Sequence, residues 1–482
     1  MSLIISGATI IDGVADQLIE GQSIRIEGRR IEAIGNRDEL GATPGAQVID
    51  AHGKYVIPGL MNANVHLLAD VRLENLARHL DHFEELIAEA AQVALKNGLT
   101  TVFDTWGPRR PLMVVRDRIN AGELPGSRIF CAGNIVGFDG PFSPDFFPKG
   151  LEVASAAFAK RINAIWVENV GRHLMWLTPE QVGGQVRRYI EKGVDFIKYA
   201  ANEHGAQAAG AFLQFSPPVQ EAIAEEAHRA GITVQAHTMT VEGLRMAIET
   251  GCDLIQHVNI TGPTPIPERT LQLLADRKTG AVVFPFTQRR LDWFFEHSSQ
   301  SALSTDLIHT MYRAADANVR NLIPSGAALL LANDAAVFAP ELESDPTWSQ
   351  WLGPDVDNYL DLSQGHFFWF KAMEEKGCLP MEMLRAATRN IAAAYGKADD
   401  LGTLEPGKLA DLLILDKNPL EAAEHYRDIH LVIKDGMIVD RMALPTTPVL
   451  TRPMEPPAAE EAAYVPFLRT GRIRRSPMCM CH

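Results

Sequence analysis

The chain has 482 residues, 46% hydrophobic and 22% charged, with 45 basic against 60 acidic side chains and a net charge of −15. That is a soluble, globular composition, long enough for one large domain and a smaller one, and its acidity argues against nucleic acid or an anionic membrane as partner. No apolar run approaches the length of a membrane span, the N-terminal "MSLIISGATIIDG" has no basic leader or cleavage site, and five scattered cysteines (Cys131, Cys252, Cys378, Cys479, Cys481) suit a reducing cytoplasm. The expectation is a cytoplasmic homo-oligomer that acts on a small molecule.

Residues 2–56 alternate short β-rich runs with glycine turns at Gly7, Gly13, Gly28 and Gly35, as in "SIRIEGRRIEAIG". From residue 57 the pattern becomes apolar run, amphipathic segment, apolar run. Eight strands are predicted at 56–66, 99–105, 127–133, 194–200, 232–238, 252–258, 281–287 and 328–335. Helices fit between them, such as 217–231 and 240–251, each closed by glycine. The fold class is therefore α/β, a (β/α)8 TIM-like barrel over 57–399. Insertions at 134–177, 288–303 and 336–378 follow strands and should hang over the C-terminal mouth. β-like text returns in "LGTLEPGKLADLLILDKNP" and "HLVIKDGMIVD". A small β-sandwich built from both chain ends, 1–56 and 400–442, is the simplest account. The Pro-rich 443–482 is expected as an extended tail on the surface or on a neighbouring subunit. Its "MCMCH" end, with Cys479, Cys481 and His482, reads as an exposed terminus rather than a soft-metal site.

In a barrel of this kind the strand ends converge at one mouth. They carry Asn64 and His66 (strand 1, "IPGLMNANVH"), Lys198 (strand 4), His237 (strand 5), His257 (strand 6) and Asp334 (strand 8). One histidine at a strand end is usually a satisfied structural residue. Five strand ends of this kind around one rim point instead to a catalytic divalent metal, since imidazoles and a carboxylate are what Zn²⁺, Co²⁺, Mn²⁺ or Fe²⁺ takes. An ammonium at Lys198 would repel a cation and is costly to bury. A neutral lysine amine can add CO₂ and become a carbamate, which is an anionic ligand.

The segments "GKYVIPGLMNANVH", "GVDFIKYAA", "AHRAGITVQAHT", "AIETGCDLIQHV", "LLLANDA" and "LGTLEPGKLADLLIL" resemble the amidohydrolase superfamily, in its imidazolonepropionase and prolidase-like branch, over about residues 2–440. The resemblance implies that His66 and Asp334 serve one metal position and that His237 and His257 serve a second. Carbamylated Lys198 would bridge the two. Asn64 departs from the family's His-X-His. Its neutral amide is a poorer ligand, so one divalent ion per chain is expected, zinc first. The Asn-X-His variant is similar to a subgroup containing phenylurea and molinate hydrolases, which points to N-substituted ureas, carbamates or thiocarbamates. A cation would acidify water and polarise the carbonyl, with Asp334 taking the proton and passing it to the departing nitrogen or sulfur.

Lys198 and His204 ("ANEHGA") join Asp334 as catalytic candidates. Trp106, Phe286 and Phe338, with Phe284, are candidates to line an apolar pocket. An Xaa-Pro dipeptidase or cyclic amidase is the alternative, with Arg289 or Arg290 meeting a free carboxylate. A non-catalytic scaffold would hold no stoichiometric metal. His79 and His82 ("RHLDHFEE") are expected on a solvated helix. "GGQ" at 183–185 lies in an amphipathic helix with no preceding strand, and is no phosphate loop.

Overall fold

Burial along the strands separates them into two groups. β1 (Ser2–Ile10) alternates buried and half-buried residues, as one wet face requires, whereas β6 (Leu60–Val65) and β7 (Leu99–Asp104) are buried throughout. The computed structural model describes residues 2–36, 40, 44–68, 76, 79–146, 155–204, 212–298, 304–338 and 357–452.

The wet-faced group comes from both chain ends. It comprises β1, β2 (Ile19–Glu27), β3 (Arg30–Gly35), β4 (Gln47–Asp50), β5 (Tyr55–Pro58), β14 (Leu412–Leu415), β15 (Ile429–Lys434) and β16 (Met437–Ile438). These form one mixed sheet in the order β16-β15-β14-β5-β1-β2-β3, with β4 beside β1. The two ends meet where β14 runs antiparallel to β5, Leu412 opposite Pro58. Leu3, Ile5, Ile24, Leu412, Ile414 and Ile433 help to build a hydrophobic cluster of its own on this sheet.

The fully buried group is parallel. β6, β7 and β8 (Arg128–Cys131) make one sheet. β9 (Ile197–Ala200), β10 (Val234–His237), β11 (Leu254–Gln256), β12 (Gly280–Val283) and β13 (Leu329–Leu331) make another. Helices alternate with the strands, among them Phe83–Lys96, Pro179–Ile190, Pro217–Arg229 and Val241–Glu249, so the protein is α/β. The edges of the two parallel sheets meet on both sides, through parallel bridges Val65 to Ala335 and Val136 to Tyr199. There the His66 N–H donates to Ala335 O at 2.8 Å and the Val136 N–H to Lys198 O at 2.8 Å.

Several expectations shift. The predicted strand 56–66 is two strands in two different sheets, broken at Gly59. A Cβ there would sit 2.2 Å from Thr100 Oγ1, so only glycine lets the chain pass. The predicted strands 252–258 and 328–335 shorten because His257 and Asp334 turn into left-handed backbone, with φ of 35° and 49°. His79 and His82 lie in the turn before helix Phe83–Lys96 rather than on it. His79 is half-buried, and exposed His82 pairs with Glu85 at 3.0 Å. "GGQ" sits within helix Pro179–Ile190, which opens with a Thr178–Gln181 capping box and Pro179 in its first turn.

The first residues of the predicted tail strap helix Phe83–Lys96. Thr446 N–H donates to Gln92 Oε1 (2.7 Å), and Leu450 and Thr451 N–H donate to the Glu89 carboxylate (2.7 and 2.8 Å). The rest of the tail, 453–482, lies outside the described residues, as does 339–356 of the third insertion. Among the described residues no helix is long and apolar enough to cross a membrane.

Where the mixed sheet meets the start of β8, a buried charge cluster locks the two together. Arg128 Nη2 reaches Asp411 Oδ2 (3.1 Å) and Asp435 Oδ1 (2.6 Å). Arg29 donates to Asp435 Oδ1 (2.8 Å) and Lys434 Nζ to Asp435 Oδ2 (2.7 Å). The Asp435 N–H donates to Asp411 Oδ1 (2.7 Å).

Candidate active site

Parallel strands of similar length end at one level, so residues at or just past their C-terminal ends become neighbours however far apart they lie in sequence. His66 follows β6, Lys198 lies in β9, His237 ends β10, His257 follows β11 and Asp334 lies three residues past β13. All five are buried. His66 Nε2 stands 3.3 Å from Asp334 Oδ1. His237 Nδ1 and His257 Nε2 share a hydrogen bond of 2.9 Å. The His204 ring, in the turn after β9, packs 4.9 Å from the His237 ring.

The electrostatics follow from burial and neighbours. Burial opposes ionisation of Asp334, yet His66, Lys198 and His257 together hold its carboxyl well below the ordinary range, so it is charged. Neither of its oxygens receives an aligned hydrogen bond from the described residues, and His66 Nδ1 has none either. Burial, with the like charges of Lys198 and neighbouring imidazoles, pushes His237 far down and brings His204 to about 3, so both rings are neutral. His204 Nδ1 lies 2.9 Å from Asp145 O. A carbonyl can only accept, so Nδ1 carries the proton and Nε2 holds the lone pair.

An aromatic wall adjoins these groups. Trp106 stacks on Phe146 at 3.8 Å and meets His66 edge-on at 6.0 Å. Phe146 contacts His204 (4.9 Å), and Phe138 contacts both His204 (5.7 Å) and His237 (5.4 Å). Phe284 stacks at 5.9 Å on His257. Phe286 instead belongs to a cluster with Phe294, Tyr312 and Tyr359, and Phe338 is half-buried at the margin of the core. Arg289 pairs with Asp357 at 3.6 Å. Arg290 is buried over the rings of Trp293, Phe294 and Tyr359.

Sequence reasoning missed Phe138 and Phe146, which lie in the first insertion, where no periodicity marks them. It also missed Asp104 and Thr105, which end "LTTVFDT". Asp104 is fully buried and accepts the Leu67 N–H at 2.8 Å, and burial drives its carboxyl up to about 8. A carboxylate ending an otherwise apolar strand was the available signal. Asn64 is enclosed: its Oδ1 accepts from Thr105 Oγ1 (2.5 Å) and its Nδ2 donates to Gln256 Oε1 (2.8 Å). Thr105 Oγ1 in turn accepts from Lys198 Nζ at 3.1 Å.

Among the described residues no three His, Cys, Asp or Glu side chains stand ready as a metal-binding group. The donor chemistry nonetheless suits a divalent cation. A charged carboxylate without aligned donors lies against His66, beside two neutral imidazoles and a lysine amine, in a water-poor site. A cation bound between His237 and His257 would have to open their mutual hydrogen bond.

This arrangement of a parallel α/β core with strand-end histidines, lysine and aspartate defines a class of hydrolase, and comparison with known proteins agrees. The model of the Amidohydrolase family matches residues 314–439. A solved structure of molinate hydrolase is 36% identical and superposes with a TM-score of 0.87 over 95% of this chain and 98% of its own. Phenylurea hydrolase B is 35% identical, with a TM-score of 0.87 over 94% of this chain and 100% of its own. Ochratoxinase from Aspergillus niger is 25% identical over 386 residues, 77% of this chain and 72% of that protein. The chain belongs to the amidohydrolase superfamily. It is a hydrolase of C–N bonds, from a family whose members usually bind metal.

Proposed function

We propose that the chain hydrolyses a small N-substituted urea, carbamate or thiocarbamate, using one divalent cation, zinc first and cobalt, manganese or iron next. His66, His237, His257, Asp334 and Lys198 as its CO₂ carbamate would hold it. The observation that carries this reading is the likeness to molinate hydrolase and phenylurea hydrolase B across nearly the whole chain. The convergence of five buried strand-end groups supports it.

A bound cation would supply Lewis acidity toward the substrate carbonyl and acidify a water. The residues do the rest. Asp334, charged and beside His66, accepts the proton of the attacking water and returns it to the departing nitrogen or sulfur. His204, neutral with its lone pair on Nε2, is placed to accept a hydrogen bond from a substrate N–H. Trp106, Phe146 and Phe138 exclude water and receive an apolar N-substituent; Phe338, four residues past Asp334, is the further candidate for its outer margin, whereas Phe286 packs in its own aromatic cluster. In the same reading β6 to β13 close as one (β/α)8 barrel over 57–399. Residues 1–56 and 400–442 form the small β-sandwich, 443–482 is the tail, and the protein works as a homo-oligomer on a small molecule.

The test is a hydrolysis screen of ureas, carbamates, thiocarbamates, Xaa-Pro dipeptides and cyclic amides on protein of measured metal content. Turnover within the urea and carbamate group, abolished by chelation and restored by metal, is expected. Preference for dipeptides, or full turnover by metal-stripped protein, would overturn the reading.

A further inference from the structure

We infer that Asn64 is not a metal ligand in this chain but the hub of a buried hydrogen-bond relay that, through Thr105, sets the position of the Lys198 amine. The inference rests on the reading of Lys198 as a functional group of the site. Both ends of the Asn64 amide are committed. The Thr105 hydroxyl donates to Oδ1 at 2.5 Å, and Nδ2 donates to Gln256 Oε1 at 2.8 Å. A hydroxyl both donates and accepts, so Thr105 also takes the Lys198 N–H at 3.1 Å. On the other side the relay continues from Gln256 Nε2 to Gln235 Oε1, and Tyr395 OH lies 3.2 Å from that same oxygen. All of these side chains are buried.

The geometry explains the asparagine. The relay needs an acceptor toward Thr105 and a donor toward Gln256 on one short side chain. An amide supplies both, whereas a carboxylate supplies no donor. A lysine side chain has four rotatable bonds and loses much rotamer freedom when fixed. The directional acceptor at Thr105 favours the rotamer in which Nζ meets it at 3.1 Å. Asn64 therefore acts on Lys198 through Thr105 and is a positioning residue, as is Thr105.

The experiment has two arms. In the first, the metal content of Asn64→Ala, Thr105→Val and His66→Ala is measured after dialysis against a chelator. Asn64→Ala is expected to retain more metal than His66→Ala and no less than Thr105→Val, because Asn64 reaches Lys198 only through Thr105. Loss in Asn64→Ala as complete as in His66→Ala, while Thr105→Val keeps its metal, would overturn the inference. In the second, Thr105→Val and Thr105→Ser are compared by crystallography and steady-state kinetics. Thr105→Val should move Lys198 off its rotamer and lower kcat about tenfold or more, as loss of one hydrogen bond to a charged or reacting group does. KM should change little, and Thr105→Ser should restore both. An unmoved Lys198 in Thr105→Val overturns the relay. The Lys198 position can be read in metal-free protein with no substrate in hand, so failure of the proposed function and failure of the relay are separately visible.

Discussion

Two buried aspartates, Asp334 in the site and Asp435 at the junction, begin alike. Both occupy left-handed backbone, with φ of 49° and 52°, and both are held below the ordinary carboxyl range by nearby cations against the opposing effect of burial. Their surroundings differ. At the junction all four carboxylate oxygens of Asp411 and Asp435 have a donor, from Arg128, Arg29, Lys434 and the Asp435 N–H. Asp334 receives no aligned hydrogen bond from the described residues. Its backbone has no excuse in a tight turn, whereas Asp435 and Gly436 form the two-residue hairpin between β15 and β16, which demands positive φ. A completed buried cluster holds two parts of a molecule together. An incomplete one, kept in left-handed backbone, leaves carboxylate oxygens open to a ligand, which is the feature the proposed function uses.

That contrast can be broken by exchanging the outcomes. Asp334→Asn keeps the shape and tolerates positive φ but cannot accept a proton. Turnover should fall by about 10² to 10⁴ with little change in unfolding free energy; kcat and a urea melt on one preparation check both. Stability lost in step with activity would mean that Asp334 is structural like Asp435. The converse is Arg128→Met, which leaves two buried carboxylates short of their shared cation. It should destabilise the fold by about 3–5 kcal/mol and leave kcat nearly unchanged, measured in the same two assays.

The smallest effect sharpens the comparison through pH. The folded pKa of Asp435 lies below its unfolded value of about 4. The stabilisation it brings is therefore whole above that value and is lost as pH falls through the folded one. Acid unfolding followed by circular dichroism should show a steeper loss of stability below about pH 4 in the parent than in Arg128→Met, where Arg128's share of the depression is gone and only that of Lys434 remains. Equal slopes would remove the junction from the acid response.

Much of this was readable in one dimension. Periodicity marked the buried parallel strands and the alternating end strands, because covering one face or two imposes different patterns. Imidazole, amine and carboxylate groups ending apolar runs marked His66, Lys198, His237, His257 and Asp334, since nothing but a partner or a ligand justifies polar groups there. Tertiary structure decided the rest. The break at Gly59 depends on Thr100, a neighbour 41 positions on. The aromatic wall of Phe138 and Phe146 exists because the loop after β8 folds back over His204 and His237. Asn64 finds its partners 41 and 192 residues away, in Thr105 and Gln256. The sequence by itself determined which side chains reach the strand ends, because that depends on local alternation. Which of them touch depends on how separate parallel strands come into register, and no local pattern encodes that.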